Sequence, residues 1–211
     1  EGYRFLAIAA VITFILLLIS NFFGIISLII TIWVYYFFRD PERFPINDEN
    51  YLLSPADGVI SQIIELNGPK ELGLDNKKYT RVSIFMNVFD CHVNRVPSSG
   101  KITKIFYKPG EYLNASLDKA SEKNERNYVK MSNKNGDELI LVQIAGLIAR
   151  RIVCEKKEND EIKQGDRFGM IRFGSRVDLY FENYQLMVNT NQKTIAGETI
   201  LARKEKWLKT K

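Results

Sequence analysis

The reactive chemistry available to this chain centres on one dipeptide, Gly174-Ser175, within the run Gly165-Asp-Arg-Phe-Gly-Met-Ile-Arg-Phe-Gly-Ser-Arg-Val-Asp-Leu-Tyr-Phe181. A serine whose Oγ lies beside the carbonyl that precedes it can attack that carbonyl. Glycine is the residue least able to obstruct the strained backbone this needs. The plainer alternative is a bulge glycine followed by a solvent-facing serine. A base for the hydroxyl is limited to His92, the one histidine in the chain, which among apolar neighbours also fits a packed structural ring. Two carboxylates could orient it. Asp90 stands two residues earlier and shares a face with it in an extended segment. Asp57 lies in the turn Ser54-Pro-Ala-Asp-Gly58, where the alternative is an aspartate bonding its own backbone.

Composition narrows the field. A single histidine excludes multi-histidine metal sites, and Cys91 and Cys154 have no metal-ligand spacing, so no metal is expected and two reduced thiols are. The formal charge is +5 over 211 residues. That excess suits an anionic membrane surface. Aromatic residues are not interleaved with a basic stripe, and nucleic acid is not expected as a partner.

The elements that must position these groups divide at residue 38. Residues 5–38 are almost wholly apolar, broken near the middle by Ser20, Asn21 and Gly24. One helix of that length would overshoot a bilayer core. Two short helices joined around Asn21 fit better, as a hairpin that dips into or just crosses the membrane. Arg4 at one end and Arg39 and Arg43 at the other place both ends on the cytoplasmic side, with Trp33, Tyr35 and Tyr36 as interfacial aromatics. The segment 39–45, with two prolines and four charges, ends the helix and opens a polar domain, giving two parts, 1–38 and 39–211.

The second part reads as strands. Residues 59–64, 79–85, 101–107, 138–144, 147–153 and 198–202 carry strand patterns. The run 165–181 predicts two strands meeting at Gly174-Ser175, with Phe168 and Met170 on one face of the first and Val177, Leu179 and Phe181 on one face of the second. Residues 114–127 are polar and predict a short helix or an ordered loop, and 155–165 a solvated charged turn. The run 203–211 is basic, with Trp207 and Leu208 as candidate interfacial anchors. The expected class is mainly β, a β-rich α+β domain behind an N-terminal apolar helical hairpin.

Taken in order, the motifs resemble phosphatidylserine decarboxylases of the short, membrane-associated prokaryotic type. They are Phe38-Arg-Asp-Pro-Glu-Arg43, Ser54-Pro-Ala-Asp-Gly58, Asp90-Cys-His-Val-Asn-Arg-Val-Pro97, Tyr107-Lys-Pro-Gly110, Asp118-Lys-Ala-Ser121, Asn124-Glu-Arg-Asn127, Gln143-Ile-Ala-Gly-Leu-Ile-Ala-Arg-Arg151 and Phe173-Gly-Ser175. The resemblance implies self-cleavage at Gly174-Ser175 into chains 1–174 and 175–211, which stay together as a heterodimer; a homodimer of such pairs is left open. It implies a covalent pyruvoyl group formed from Ser175, with no pyridoxal phosphate and no metal. It also implies phosphatidylserine of the cell membrane as substrate, with the domain facing the cytoplasm. A pyruvoyl carbonyl condenses with the substrate amine and drains the carbanion left by CO2 loss, which no ordinary side chain can do. The family's Asp-His-Ser relationship maps onto Asp57, His92 and Ser175, with His92 as base and Asp57 setting its tautomer. Longer members carry a second histidine three residues after the first; here that position is Arg95. Asp57 and Asp90 therefore both stand as partners of His92. The same chemistry on archaetidylserine, or a noncatalytic membrane-tethered β-domain, are the alternatives.

Overall fold

In the computed structural model, residues 2–113, 123–147, 151–172 and 175–205 are described. The chain forms two compact units. The first comprises residues 1–41 and 88–91, and the second residues 42–87 and 92–211.

The first unit is an antiparallel pair of helices, α1 (Gly2–Ile19) and α2 (Asn21–Phe37), joined at Ser20, whose extended backbone interrupts the helical path. This matches the hairpin expected from the sequence, with the joint one residue earlier. Helix α1 is 18 residues long with mean hydropathy 2.3, the one described helix long and apolar enough to cross a membrane. At 1.5 Å per residue it spans about 27 Å, close to the thickness of a hydrocarbon core. The helices carry apolar side chains outward, with Ile8, Phe14, Leu18, Phe22 and Ile29 all more than half exposed. Their polar residues turn inward: Thr13 Oγ1 lies 2.8 Å from both Ser27 Oγ and Thr31 Oγ1. Hydroxyls paired between helices are compatible with lipid, where an unpaired one is costly. Phe5 stacks on Phe38 at 5.4 Å, closing the open end.

The second unit is built from fourteen strands among the described residues: β1 (Tyr51–Leu53), β2 (Gly58–Asn67), β3 (Lys78–Met86), β4 (Val93–Arg95), β5 (Gly100–Lys108), β6 (Arg126–Asn133), β7 (Glu138–Ile144), β8 (Ile152–Cys154), β9 (Glu161–Ile162), β10 (Arg167–Ile171), β11 (Ser175–Phe181), β12 (Tyr184–Leu186), β13 (Lys193–Thr194) and β14 (Ile200–Lys204). Eight form one antiparallel sheet in the order β13-β2-β3-β11-β7-β6-β5-β9. Two three-stranded sheets, β1-β14-β12 and β4-β10-β8, complete the unit. The mainly β class follows.

Both faces of the large sheet are covered. Val177, Leu179 and Phe181 of β11 join Val82, Ile84, Leu139, Leu141, Val129 and Met131 in the main core. Each such side chain, fully buried, contributes about 1.5–3 kcal/mol. The opposite face carries Tyr79, Tyr128, Ile140, Val142, Ile144 and Tyr180, covered by Leu66, Leu72 and Leu74.

Several elements differ from their sequence expectation. The two strands of the run 165–181 exist, but they lie in different sheets, β10 in a small one and β11 at the centre of the large one. Residues 126–133, placed with a polar helix or loop, form β6, because Asn127, Val129 and Met131 alternate inward against β7. The strand expected over 147–153 is confined to β8, at Ile152–Cys154, because its partner β10 offers only three paired positions. The charged turn 155–165 holds the two-residue strand β9, paired to β5. Residues 114–122, Gly174 and 206–211, on which other expectations fall, lie outside the described residues.

Candidate active site

Ser175 opens β11, and the sheet register fixes its neighbours. One rung runs Val59, Phe85, Arg176, Ile144, Arg126 across β2, β3, β11, β7 and β6. Ser175 stands one position further along, opposite Met86, on the face of β11 that carries Val177, because side chains alternate. It therefore points toward the main core at the end of the sheet. Its residue exposure is 0 %, and its Oγ has no hydrogen-bond partner among the described residues. A buried hydroxyl left unsatisfied costs about 1–3 kcal/mol, so it is the kind of group to examine for function.

His92 is equally buried, at 0 % exposure. Its position follows from β4, whose first residue, Val93, pairs with Met170 of β10, while the His92 carbonyl accepts the Ile171 N–H at 3.4 Å. Two chain segments thus pass from the large sheet to the small one at the same seam. One leaves β3 at Met86 and enters β4 after His92; the other leaves β10 at Ile171 and enters β11 at Ser175. Since β3 pairs β11 and β4 pairs β10, the topology brings His92 and Ser175 to one junction.

Asp57 immediately precedes Gly58 at the start of β2. By register it is about 10 Å from Ser175, two strand spacings away. Gly58 holds the strand close to β3: its φ is +150° and a Cβ there would lie 2.2 Å from the Phe85 carbonyl oxygen, so only glycine fits. The Asp57 carboxylate is engaged by Arg43, whose Nη2 donates to Oδ2 at 2.8 Å and Oδ1 at 3.1 Å, and by the Ala196 N–H, which donates to Oδ1 at 2.8 Å. Asp90 belongs to the first unit. Arg95, where a second histidine stands in longer relatives, donates from Nη1 to the Gly165 carbonyl at 3.1 Å.

Sequence reading did not single out a buried chain of amides beside the seam. Asn127 Nδ2 donates to Gln143 Oε1 at 3.0 Å, Gln143 Nε2 donates to Asn94 Oδ1 at 2.8 Å, and Asn94 Nδ2 points to Met86 Sδ at 3.7 Å. All three amides are at most 3 % exposed. The chain links β6, β7 and β4 and ends on the residue opposite Ser175. Gly169 makes room for it: a Cβ there would sit 2.1 Å from the Val153 carbonyl and 3.2 Å from Gln143 Nε2. The available signal was the pattern itself, Asn127 and Gln143 occupying inward positions beside Val129 and Leu141. Asn124 is a second case. Its amide donates to the Leu113 and Ala145 carbonyls at 2.8 and 2.7 Å and accepts the Leu113 N–H at 2.8 Å, tying residue 113 to the end of β7. Among the described residues no group of His, Cys, Asp and Glu could hold a metal ion.

A β-sheet domain that encloses a hydroxyl and an imidazole at a sheet junction, encoded behind an apolar helical hairpin, defines a class of enzyme with a sequestered reaction centre. Residues 30–202 match the family model described as phosphatidylserine decarboxylase. The chain is 66 % identical over 204 residues to the phosphatidylserine decarboxylase proenzyme of Pelagibacter ubique, covering 97 % of this chain and 95 % of that one. It is 52 % identical to the proenzyme of the same name from Rickettsia typhi, covering 96 % and 88 %, and 51 % identical over 203 residues to that of Ruegeria pomeroyi, covering 96 % and 93 %. The chain belongs to the phosphatidylserine decarboxylase family, and it is an enzyme of the carboxy-lyase class.

Proposed function

We propose that the protein decarboxylates phosphatidylserine to phosphatidylethanolamine and CO2, after cutting itself between Gly174 and Ser175 and converting Ser175 to a pyruvoyl group. The observation that carries this reading is the Ser175 hydroxyl, fully buried, without a hydrogen-bond partner among the described residues, at the junction that also holds His92. Relatives named as proenzymes support it.

In maturation, Ser175 Oγ attacks the Gly174 carbonyl carbon while His92 takes the hydroxyl proton. The peptide C–N bond breaks, and an ester joins Gly174 to Oγ. Loss of the Ser175 α-proton expels the Gly174 carboxylate. The enamine left at residue 175 tautomerises and is hydrolysed, taking up one water and releasing ammonia. The pyruvoyl group supplies an electron-withdrawing carbonyl beside the substrate amine, the role a bound aldehyde cofactor plays elsewhere. Ser175 suits its formation, because the burial that leaves Oγ without water also protects the product from it.

The chain's own residues do the rest. His92, as the lone imidazole, serves a second time by delivering a proton to the carbon that has lost CO2. Asp57, anchored by Arg43 and Ala196, sets the tautomer of His92. The cut chains 1–174 and 175–211 remain joined, since β11 lies between β3 and β7 and all seven of its residues are buried. The helical hairpin places the protein at the cytoplasmic membrane with the β domain on the cytoplasmic side, supported by the apolarity of α1 and by Arg4, Arg39 and Arg43 at its ends. Borohydride reduction in the presence of phosphatidylserine tests the reading. It should abolish activity and attach the lipid amine covalently to the 175–211 chain; undiminished activity with no adduct would refute it.

A further inference from the structure

We propose that the face of β11 opposite Ser175 carries a second site, a pocket for a phosphate-class anion. The outer face of the large sheet is roofed by the segment from Leu66 to Leu74. Under that roof lies a cavity of about 170 Å³, walled by Arg81, Arg126, Glu71, Asp178, Tyr128 and Tyr180. Four of these six are charged, and Arg81, Arg126 and Asp178 are at most 9 % exposed. An apolar cover over so many charges is costly unless each finds a counter-charge.

The carboxylates already have theirs. Asp178 Oδ1 and Oδ2 accept from Arg176 Nε and Nη2, each at 2.8 Å, with both side chains at most 2 % exposed. Glu71 Oε1 accepts from Lys108 Nζ at 2.9 Å. Neither Arg176 nor Lys108 lines the cavity. Counted together, Arg81, Arg126, Arg176 and Lys108 face Asp178 and Glu71, an excess of two positive charges among the described residues. Arg81 shows where the excess falls. Its Nη2 donates to Gln62 Oε1, a neutral acceptor, and its Nε makes no hydrogen bond, lying 3.9 Å from the already doubly bonded Asp178. Tyr128 adds a second donor, a hydroxyl at 2 % residue exposure with no hydrogen-bond partner. Burial pushes its pKa up, so it stays protonated and able to donate.

A guanidinium and a phenol converging on a closed polar space is the donor set for a tetrahedral oxyanion, since charge-assisted bonds to phosphate oxygens are the strongest available to either. The volume is that of roughly five or six waters. It accepts a phosphate, free or on a short polar stem, and is too small for two acyl chains. The shared chemistry is therefore phosphate, from solution or from a lipid headgroup reaching in. The pocket does not depend on the cleavage reading, because none of its residues takes part in that chemistry.

The test uses the full chain with Ser175→Ala in detergent micelles, so that success or failure of self-cleavage does not enter. Titration with inorganic phosphate, followed by calorimetry, should give saturable binding that sulfate competes away. Arg81→Gln, which removes one charged donor, should weaken the affinity about tenfold or more. Tyr128→Phe, which keeps shape and fold, should weaken it by a smaller factor. Circular dichroism checks that both variants fold, and the tyrosine variant keeps the proposal open to refutation if the arginine variant does not. Vesicles of phosphatidylserine that displace phosphate identify the lipid headgroup as source, and vesicles that leave phosphate binding unchanged identify the soluble ion. Either result supports the pocket. Absence of saturable phosphate binding, or equal affinity in wild type and both variants, overturns it.

Discussion

Replacing Asp57 with alanine removes one carboxylate that three donor contacts converge on, and the structure gives the size of the loss. Arg43 Nη2 contacts both oxygens at 2.8 and 3.1 Å, and the Ala196 N–H adds a third contact at 2.8 Å. The paired side chains are only 11 % and 14 % exposed. Breaking a buried ion pair by deleting one partner costs about 3–5 kcal/mol, and the residual solvent contact of this pair puts it near the lower end. The expected cost is about 3 kcal/mol, or a drop in Tm of about 6–12 °C for a domain of this size. The measurement is thermal unfolding by circular dichroism in a Ser175→Ala background, which keeps every sample a single chain. Arg43→Ala should lose a similar amount, and the double variant should show a coupling of about 2 kcal/mol. Maturation rates of otherwise wild-type chains then separate structure from chemistry. If Asp57 acts on His92, Asp57→Asn should stall cleavage while Arg43→Gln still cleaves. A Tm drop below about 2 °C for Asp57→Ala, with no coupling to Arg43, would refute the reasoning.

Other expectations follow from the same geometry. His92→Ala should leave the chain folded and slow self-cleavage by about a hundredfold or more, read by gel against time. Gln143→Leu cuts the amide chain beside the seam and strands the Asn94 and Asn127 side chains; about 2–4 kcal/mol of stability should be lost by denaturant titration, because each buried partner is left unsatisfied. Asp137 receives Lys204 at 2.8 Å, Tyr184 at 2.8 Å and Asn133 at 3.2 Å. Burial pushes its carboxyl up, but these donors together outweigh burial and hold it below the ordinary carboxylate value. A lowered folded value means stability present above the unfolded value and lost as pH falls through the folded one. The Tm difference between wild type and Asp137→Asn should therefore be full at neutral pH and shrink between about pH 5 and pH 2. A difference constant down to the acid end would contradict it.

Local patterns carried much of this molecule into view before any coordinates. The apolar run broken at Ser20 and Asn21 reads directly as two helices, because length against bilayer thickness is a one-dimensional argument. Val177, Leu179 and Phe181 mark the inner face of β11 by period alone. The outward residues of the same strand mislead: Arg176, Asp178 and Tyr180 look like a solvated face, yet they are at most 8 % exposed. Their cover comes from residues around Leu66 to Leu74, about a hundred positions away, which no local period can reveal. Strand β6 was lost for a related reason. Arg126, Lys130, Asn127 and Ser132 put polar groups on both faces, and only pairing with β7 resolves which faces inward. At the site, Ser175 and His92 were legible by chemical type, while their common junction follows from two strand pairs switching sheets together. Arg43 as the partner of Asp57 was hidden in a segment that read only as a boundary.

The central claim rests on one peptide bond, and intact mass under denaturing conditions addresses it directly. Purified active protein should give two chains, one ending at Gly174 and one of 37 residues, 175–211, with a blocked first residue that hydroxylamine modifies. The Ser175→Ala protein should give one uncut, inactive chain. Full activity from a single unbroken chain, or a cut that persists in Ser175→Ala, would contradict the account.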